Sequence, residues 1–350
     1  MAKSWQDIEE KKNLAVVIGR FQPFHYGHVY NIDRGLKEAK KVLVLVGSAF
    51  NSRSPKNPFT FEEREKMIRD HYRGSPNWDR IEVEPLPDYI YEENQWIADV
   101  QEIVTSFATE TVALIGHEKD ESSYYLKNFP QWEFLETGRW PSQIKTVDAT
   151  QIRELYFDHD LRFVQGVVPS TTYLFLEDFA RGEIYTGLQE EKKFIDDYRA
   201  SWSNSPFPPT FNTVDAVVIQ SGHILLIRRK VQPGKNLMAM PGGFINQYEK
   251  LEDAVIRELR EETKLKVTVP FLRGSIVKQK TFDNPNRSQR GRTITQAFLF
   301  QLKNDEELPK VKGSDDAKEA MWVPLSDLYN MESELYEDHY YIIRKMIDNE

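Results

Sequence analysis

The chain has 350 residues, more than one ordinary domain uses and enough for two. Its 40% hydrophobic and 29% charged composition is that of a globular protein, and a formal net charge of −9 excludes the broad basic face that nucleic acid or anionic lipid requires. The absence of cysteine excludes disulfides and thiolate metal sites.

The opening MAKSWQDIEEKK lacks the apolar core of a signal peptide, and no apolar run reaches the length of a membrane span, so a cytoplasmic chain without a membrane partner is expected. Leu14–Gly19 (LAVVIG) reads as a short buried strand. A loop from Gly19 to His28 follows, then a helical pattern from His28 to Lys41. Val42–Gly47 and Val112–Gly116 are further apolar runs. Continuous apolar strands alternating with helical stretches predict a parallel, doubly wound sheet, with ligand chemistry at the C-terminal ends of its strands. Near residue 185 the texture changes. Gln189–Trp202 is charged and helix-compatible, and the prolines of Ser203–Pro209 exclude a regular element there. Domains at 1–185 and 211–350, with a linker at 186–210, are therefore expected. In the second half, Val214–Ile219 and Ile224–Arg228 form a hairpin through Ser221-Gly222. A glycine-rich loop and a charged helix, Leu251–Thr263, come next. Strands at Leu272–Val277 and Thr295–Gln301 and a final helix at Glu334–Ile347 complete the reading.

The loop after the first strand reads Gly19-Arg20-Phe21-Gln22-Pro23-Phe24-His25-Tyr26-Gly27-His28. Two histidines three apart at a helix opening can address one bound group. The helix N-terminus adds free N–H donors and a positive dipole end, Arg20 adds charge, and Gly27 permits close backbone approach. These are the parts of a polyphosphate site. Downstream, Asp148-Ala149-Thr150-Gln151-Ile152-Arg153 follows the strand-like Ile144–Val147 and opens another helix. Thr150 and Arg153 can meet phosphate oxygens, although an N-capped helix start explains the segment equally well.

The run GRFQPFHYGH resembles the H-x-G-H nucleotidyltransferases, and more narrowly the archaeal-type nicotinamide mononucleotide (NMN) adenylyltransferases, whose opening reads G-R-F-Q-P-x-H-x-G-H. Asn57-Pro58-Phe59-Thr60, Glu63-Arg64 and Met67-Ile68 are similar to that family as well. Its late motif, I-S-x-T-x-x-R, is matched at Thr150 and Arg153 but has Asp148 at the serine position, so Asp148 is not carried over as a ligand. The resemblance implies adenylyl transfer from ATP to a mononucleotide, with Mg²⁺ arriving on the ATP. It assigns His25 and His28 to the ATP phosphates, with Gly19, Arg20, Phe21, Gly27, Thr150 and Arg153 around them. It also places Trp96 against the nicotinamide ring, where a core tryptophan is the competing explanation.

In the second half, Glu258, Glu261 and Glu262 are spaced i, i+3, i+4, so all three share one helix face. Clustered carboxylates repel one another, and a hard divalent cation relieves that repulsion. Glu249 can complete the ligand shell and Arg257 can order it. The run from Gly243 to Leu265 resembles the Nudix box, G-x5-E-x7-R-E-U-x-E-E-x-G-U, and departs from it at Lys264, where the box has glycine. That implies an α/β/α domain and metal-assisted hydrolysis of a nucleoside diphosphate derivative, with Mg²⁺ or Mn²⁺ held by Glu249, Glu258, Glu261 and Glu262, of which Glu261 and Glu262 are catalytic. The stretch Lys280–Ser288, with Arg287, Arg290 and Arg292, is similar to a segment of Nudix proteins that cut or sense ADP-ribose. Asp315, Asp316 and Glu319 form a later acidic cluster, open to a ligand, general-base or helix-capping role.

The order of the two domains resembles the bifunctional NMN adenylyltransferase/ADP-ribose pyrophosphatases. The ligands so implied are ATP, NMN, NAD and ADP-ribose. Two rivals stand beside that reading: nicotinic acid mononucleotide as the acceptor, and a Nudix domain that senses ADP-ribose without cutting it. The oligomeric state stays open, a homo-oligomer included.

Overall fold

The computed structural model describes residues 11–107, 110–117, 126–137, 148–158, 161–304 and 307–348. The chain divides into two compact units. The first runs to Phe50 and continues over Lys56–Asp88 and Glu92–Tyr185, and the second gathers Asn51–Pro55, Tyr89–Tyr91 and the chain from Thr186 onward.

The first unit contains β1 (Lys12–Gly19), α1 (Tyr26–Glu38), β2 (Ala39–Val46), α2 (Phe61–Tyr72), β3 (Ile81–Pro85), α3 (Glu93–Phe107), β4 (Val112–Gly116), β5 (Glu133–Glu136), α4 (Ala149–Phe157), α5 (Leu161–Gln165) and α6 (Ser170–Phe179). The strands form one sheet in the order β3-β2-β1-β4-β5, and every neighbouring pair is parallel. Both faces are covered, which is why β1 and β2 read as continuous apolar runs. Leu14, Val16, Leu43 and Leu45 pack with Val100 and Val104 of α3. Gly35 of α1 lies so close to the sheet that a Cβ there would stand 3.1 Å from Ala15 and Val42 side chains. The order reverses between β1 and β4, and such a switch point opens a crevice at the C-terminal strand ends. The loop 20–25 leaves β1 at that point.

The helix α7 (Glu183–Ala200) is followed in the second unit by β6 (Thr210–Gln220), β7 (His223–Arg229), β8 (Met238–Ala239), β9 (Gly242–Phe244), α8 (Leu251–Thr263), α9 (Val269–Gly274), β10 (Ile276–Phe282), β11 (Arg292–Gln301), β12 (Ala317–Pro324), α10 (Leu325–Leu328) and α11 (His339–Ile347). The mixed sheet runs β10-β11-β6-β7-β12, with β8 on β7 and β9 on β6. Alternation along β6 sorts the two faces. Val214, Ala216 and Val218 meet Ala254, Val255 and Leu259 of α8, while Val217 and Ile219 share a core with Ile342, Ile343 and Met346 of α11. The result is an α/β/α sandwich. Ser221 and Gly222 close the β6–β7 hairpin at φ 48° and 72°, the left-handed pair that a two-residue turn needs.

Several sequence expectations are corrected. The first helix stops at Glu38, because Ala39 and Lys41 already pair with Lys12 and Leu14 in the sheet. Residues 269–274 are helical, since Pro270 stands in the first turn after the Thr268 cap, and the strand begins only at Ile276. The last helix begins at His339, because Leu335 is drawn into a bridge with Met238. Asp315 caps no helix: it sits at φ 58° in the turn before β12, on which Glu319 pairs with Arg228. The strand-like segment 144–147 lies outside the described residues.

Candidate functional sites

His25 occupies the N-cap of α1 in extended conformation (φ −140°, ψ 169°). Its Nδ1 accepts the Gly27 N–H at 3.0 Å, and His28 Nδ1 accepts the His25 N–H at 3.3 Å, so two imidazoles build the capping box. The ring centroids are 3.8 Å apart, with Phe21 packed 4.4 Å from the His28 ring. Burial, and then His25, hold His28 well below the ordinary histidine pKa.

The loop carrying these rings is tied down by side chains that spacing alone does not single out. Gln22 donates to Phe59 O at 2.8 Å and accepts the Phe59 N–H at 3.0 Å. Arg64, fully buried on α2, donates to the carbonyls of Arg20 (2.8 Å), Gly47 (2.7 Å), Ser48 (3.0 Å) and Thr60 (3.0 Å). Arg153 donates to Gln22 O at 2.8 Å and to Thr150 Oγ1 at 3.2 Å. Burial pushes Arg64 and Arg153 down to about 10, and each also feels the neighbouring Arg20 cation. Guanidiniums crowded in this way favour an anion among them. The sequence pointed to Arg64 and Gln22 only through a family resemblance, and not to the roles they take here. Asp148 caps α4 through Gln151 N, consistent with leaving it out of the ligand set. Trp96 packs against the core, 6.0 Å from Phe129.

In the second unit, Arg257 is the hub. Its guanidinium grips Glu249 with two bonds (2.8 and 2.9 Å) and donates to Glu258 (2.7 Å), Glu261 (3.0 Å) and Phe244 O (3.1 Å). Those bonds hold Glu249 below the usual carboxylate range. Glu262 turns inward, accepts the Gly242 N–H at 3.0 Å, and is pushed up to about 8 by burial. Burial likewise raises Glu258. A Cβ on Gly243 would stand 2.8 Å from the Glu258 carboxylate, so a larger residue there would push that side chain aside. Among the described residues no three acidic or imidazole side chains form a ready cation cage, because Arg257 bridges the carboxylates instead. The donors nonetheless fit a hard divalent cation: all are carboxylate oxygens, Glu258, Glu261 and Glu262 from one face of α8 and Glu249 from the loop before it. Lys264 ends α8 in the left-handed conformation, φ 51°, ψ 27°, taking on the turn that glycine makes in the Nudix box.

Of the three arginines of the following loop and strand, Arg287 and Arg290 both face Asp215 and Glu337, and Arg292 turns to Asp283. Arg287 is buried and paired with Asp338 at 2.9 and 3.0 Å. Arg290 lies over the Phe244 ring at 5.3 Å, and Arg292 binds the Asp283 carbonyl at 2.5 Å. Asp338 and Asp215, both buried, are the partners that the sequence did not reveal.

Comparison with known proteins matches residues 16–154 to the Cytidylyltransferase-like family and residues 209–346 to the NUDIX domain. A nicotinamide/nicotinic acid mononucleotide adenylyltransferase of Acinetobacter baylyi is 37% identical over 53% of this chain and 96% of its own. An ADP-ribose pyrophosphatase of Methanocaldococcus jannaschii is 37% identical over 37% of this chain and 69% of its own. A crystal structure from Francisella tularensis, of a bifunctional NMN adenylyltransferase/ADP ribose pyrophosphatase with AMP and a manganese ion, superposes with a TM-score of 0.88 at 36% identity, covering 96% of this chain and 98% of that one. With both units and their order matched along nearly its whole length, the chain belongs to the bifunctional NMN adenylyltransferase/ADP-ribose pyrophosphatase family.

Proposed function

We propose that the first unit transfers AMP from ATP to NMN, giving NAD and pyrophosphate, and that the second hydrolyses ADP-ribose to AMP and ribose 5-phosphate. The observation that carries this is the full-length likeness to the Francisella protein together with both residue constellations on one chain. In the first reaction the mononucleotide 5′-phosphate attacks the α-phosphorus of ATP and pyrophosphate leaves, so no covalent intermediate with the protein is needed. Catalysis is positioning and charge stabilisation. Neutral His25 and His28 direct Nε2–H donors at the ATP phosphates, and Arg20, Thr150 and Arg153 hold the remaining oxygens. Gly19, Phe21 and Gly27 shape the loop, and Trp96 stands as the candidate stacking partner for the nicotinamide.

In the second reaction Glu249, Glu258, Glu261 and Glu262 would hold the divalent ion, Mg²⁺ in the proposed working enzyme with Mn²⁺ as an alternative. When bound, the ion neutralises diphosphate oxygens and lowers the pKa of a coordinated water. Arg257 orders the carboxylates, and the Gly242 N–H orients Glu262. Arg290 and Arg292 are the loop cations proposed for the substrate, with Arg287 acting through Asp338. The absence of cysteine and the acidic charge fit a cytoplasmic enzyme acting on nucleotides rather than on nucleic acid. Among the described residues no helix is long and apolar enough to cross a membrane.

Because the Acinetobacter relative is named for both mononucleotides, nicotinic acid mononucleotide is a second acceptor to test. The experiment supplies ATP with each acceptor, and ADP-ribose with Mg²⁺ or Mn²⁺, and resolves products by chromatography. Formation of neither dinucleotide, or recovery of intact ADP-ribose, refutes the corresponding half.

A further inference from the structure

Tyr91 belongs to the second unit although it stands in the chain between β3 and α3. Its ring is half-buried against the core that Val217 and Ile342 share, and it meets Phe282 of β10 edge-on at 4.9 Å. Its hydroxyl donates to Asp338 Oδ2, a partner 247 positions away. Burial raises the phenol well above its ordinary pKa and Asp338 adds to the rise, so the proton stays on the tyrosine and the hydroxyl remains a donor.

Asp338 is only 1% exposed, so its carboxylate depends on protein donors. It accepts two bonds from Arg287, at 2.9 and 3.0 Å, and Arg287 stands 4.0 Å from a second buried carboxylate, Asp215. Each acid has a hydroxyl on its Oδ2. Thr295 of β11 donates to Asp215 at 2.6 Å, and Tyr91 donates to Asp338. A buried charge network fixes one geometry only when its members are satisfied. Thr295 lies within the Nudix match and Tyr91 lies outside it.

What Arg287 fixes is the loop on which it stands. Its N–H donates to Asn284 O at 3.1 Å to close a turn, and two residues on the Gln289 N–H donates to Glu337 Oε1 at 3.2 Å. Glu337 sits at φ 46°, a conformation that a non-glycine residue keeps only where its surroundings enforce it. The consecutive acids Glu337 and Asp338 thus grip this loop at two points. Arg290 and Arg292, the cations proposed for the substrate, follow directly.

We infer that Tyr91 is a positioning residue of the hydrolase: through Asp338 and Arg287, its hydroxyl sets the loop that carries Arg290 and Arg292. This rests on the hydrolase reading above and extends it. The Nudix match at 209–346 then lacks one part of its own site, which the chain between β3 and α3 supplies. Tyr91 touches no substrate. It acts on binding, since the loop cations meet the diphosphate in the ground state and the transition state alike.

The test is steady-state ADP-ribose hydrolysis by the full chain with Mg²⁺, comparing wild type with Tyr91→Phe, Asp338→Asn and the double variant. Hydrogen exchange of the segment 284–292 is followed in the same proteins. Phenylalanine keeps the ring against Phe282 and removes only the donor. In Tyr91→Phe, KM should rise roughly 5- to 10-fold with kcat within about twofold, and the loop amides should exchange faster. The double variant should match Asp338→Asn, because the hydroxyl acts through that carboxylate. Unchanged KM in Tyr91→Phe overturns the proposal. A fall in kcat at unchanged KM overturns it as well, since a smaller folded fraction has that effect. Additive losses in the double variant would mean that Tyr91 acts by another route. Should Asp338→Asn fail to fold, Tyr91→Phe decides alone. The hydrolase reading fails separately, if wild type leaves ADP-ribose intact. In that case unchanged exchange of 284–292 in Tyr91→Phe overturns the positioning role, and faster exchange upholds it.

Discussion

His25 and His28 are fastened to one short piece of backbone through the same ring atom. His25 Nδ1 accepts from Gly27 N and His28 Nδ1 accepts from His25 N. A neutral imidazole that accepts at Nδ1 carries its proton at Nε2. The cap of α1 therefore selects the tautomer that presents an outward N–H donor, and burial keeps His28 neutral. Replacing His28 by alanine should lower kcat for NAD synthesis by about 10²–10³-fold, the usual effect of losing one transition-state donor. ADP-ribose hydrolysis by the same variant should stay near wild type. Loss of both activities in a folded variant would show that the sites are not independent.

Arg64 satisfies four backbone carbonyls of the N-terminal unit from a fully buried position. Arg64→Met leaves those acceptors without partners and should destabilise the unit by about 3–5 kcal/mol. Arg64→Lys, with a point-like donor head, should recover only part of that. Thermal unfolding followed with ATP present and absent reads the effect.

Glu261 is the most exposed of the carboxylates around Arg257, with 45% of its side chain accessible. Glu261→Gln should therefore fold normally. As a proposed metal ligand it should lower ADP-ribose hydrolysis by at least about 10²-fold and leave NAD synthesis intact. Partial rescue by raised Mn²⁺ would support a ligand role, and full activity in ordinary Mg²⁺ would exclude one.

Glu191 is buried on α7, where its carboxylate accepts the Gly234 N–H at 3.2 Å. Burial raises its pKa from 4.5 to about 7, with Glu337 adding to the rise. The folded state thus holds a proton that the unfolded state releases between those values. Its contribution to stability is fully present below pH 4.5 and is lost as pH rises through about 7, a change of about 3 kcal/mol. Glu191→Gln keeps an acceptor for Gly234 and should flatten this part of the pH–stability curve. Denaturant midpoints at pH 5 and pH 8 measure the difference, and identical slopes in both proteins would show that Glu191 is not the group responsible.

Lys264 holds φ 51° at the end of α8. A side chain in that region costs about 1–2 kcal/mol that glycine does not incur, offset in part by the greater unfolded-state freedom of glycine. Lys264→Gly should raise stability by roughly 1 kcal/mol with hydrolysis unchanged. A gain in hydrolysis instead would mean that the lysine restrains catalysis.

The parallel sheet was legible because β1, β2 and β4 are buried on both faces and read as unbroken apolar runs. By contrast β5, with burial at none of its residues, and β12, with only Ala317 and Val323 buried, carry too little periodic signal to be found without their neighbours. The acidic helix was legible to its last residue, since Leu251–Thr263 alternates a buried face with a carboxylate face at helical spacing.

What the sequence by itself determined is the chemistry that fits within one strand–loop–helix. The imidazole pair and the carboxylate face each lie within a few residues of one helix, so local geometry brings their members together. Only the tertiary structure decided the partners that hold those groups in place. Arg64 reaches Arg20 across 44 positions, Arg287 reaches Asp338 across 51, and Arg153 reaches Gln22 across 131. The physical reason is that periodicity reports which side of an element shuns water. It does not report which distant carbonyl or carboxylate will face a buried guanidinium once two such sides have closed together.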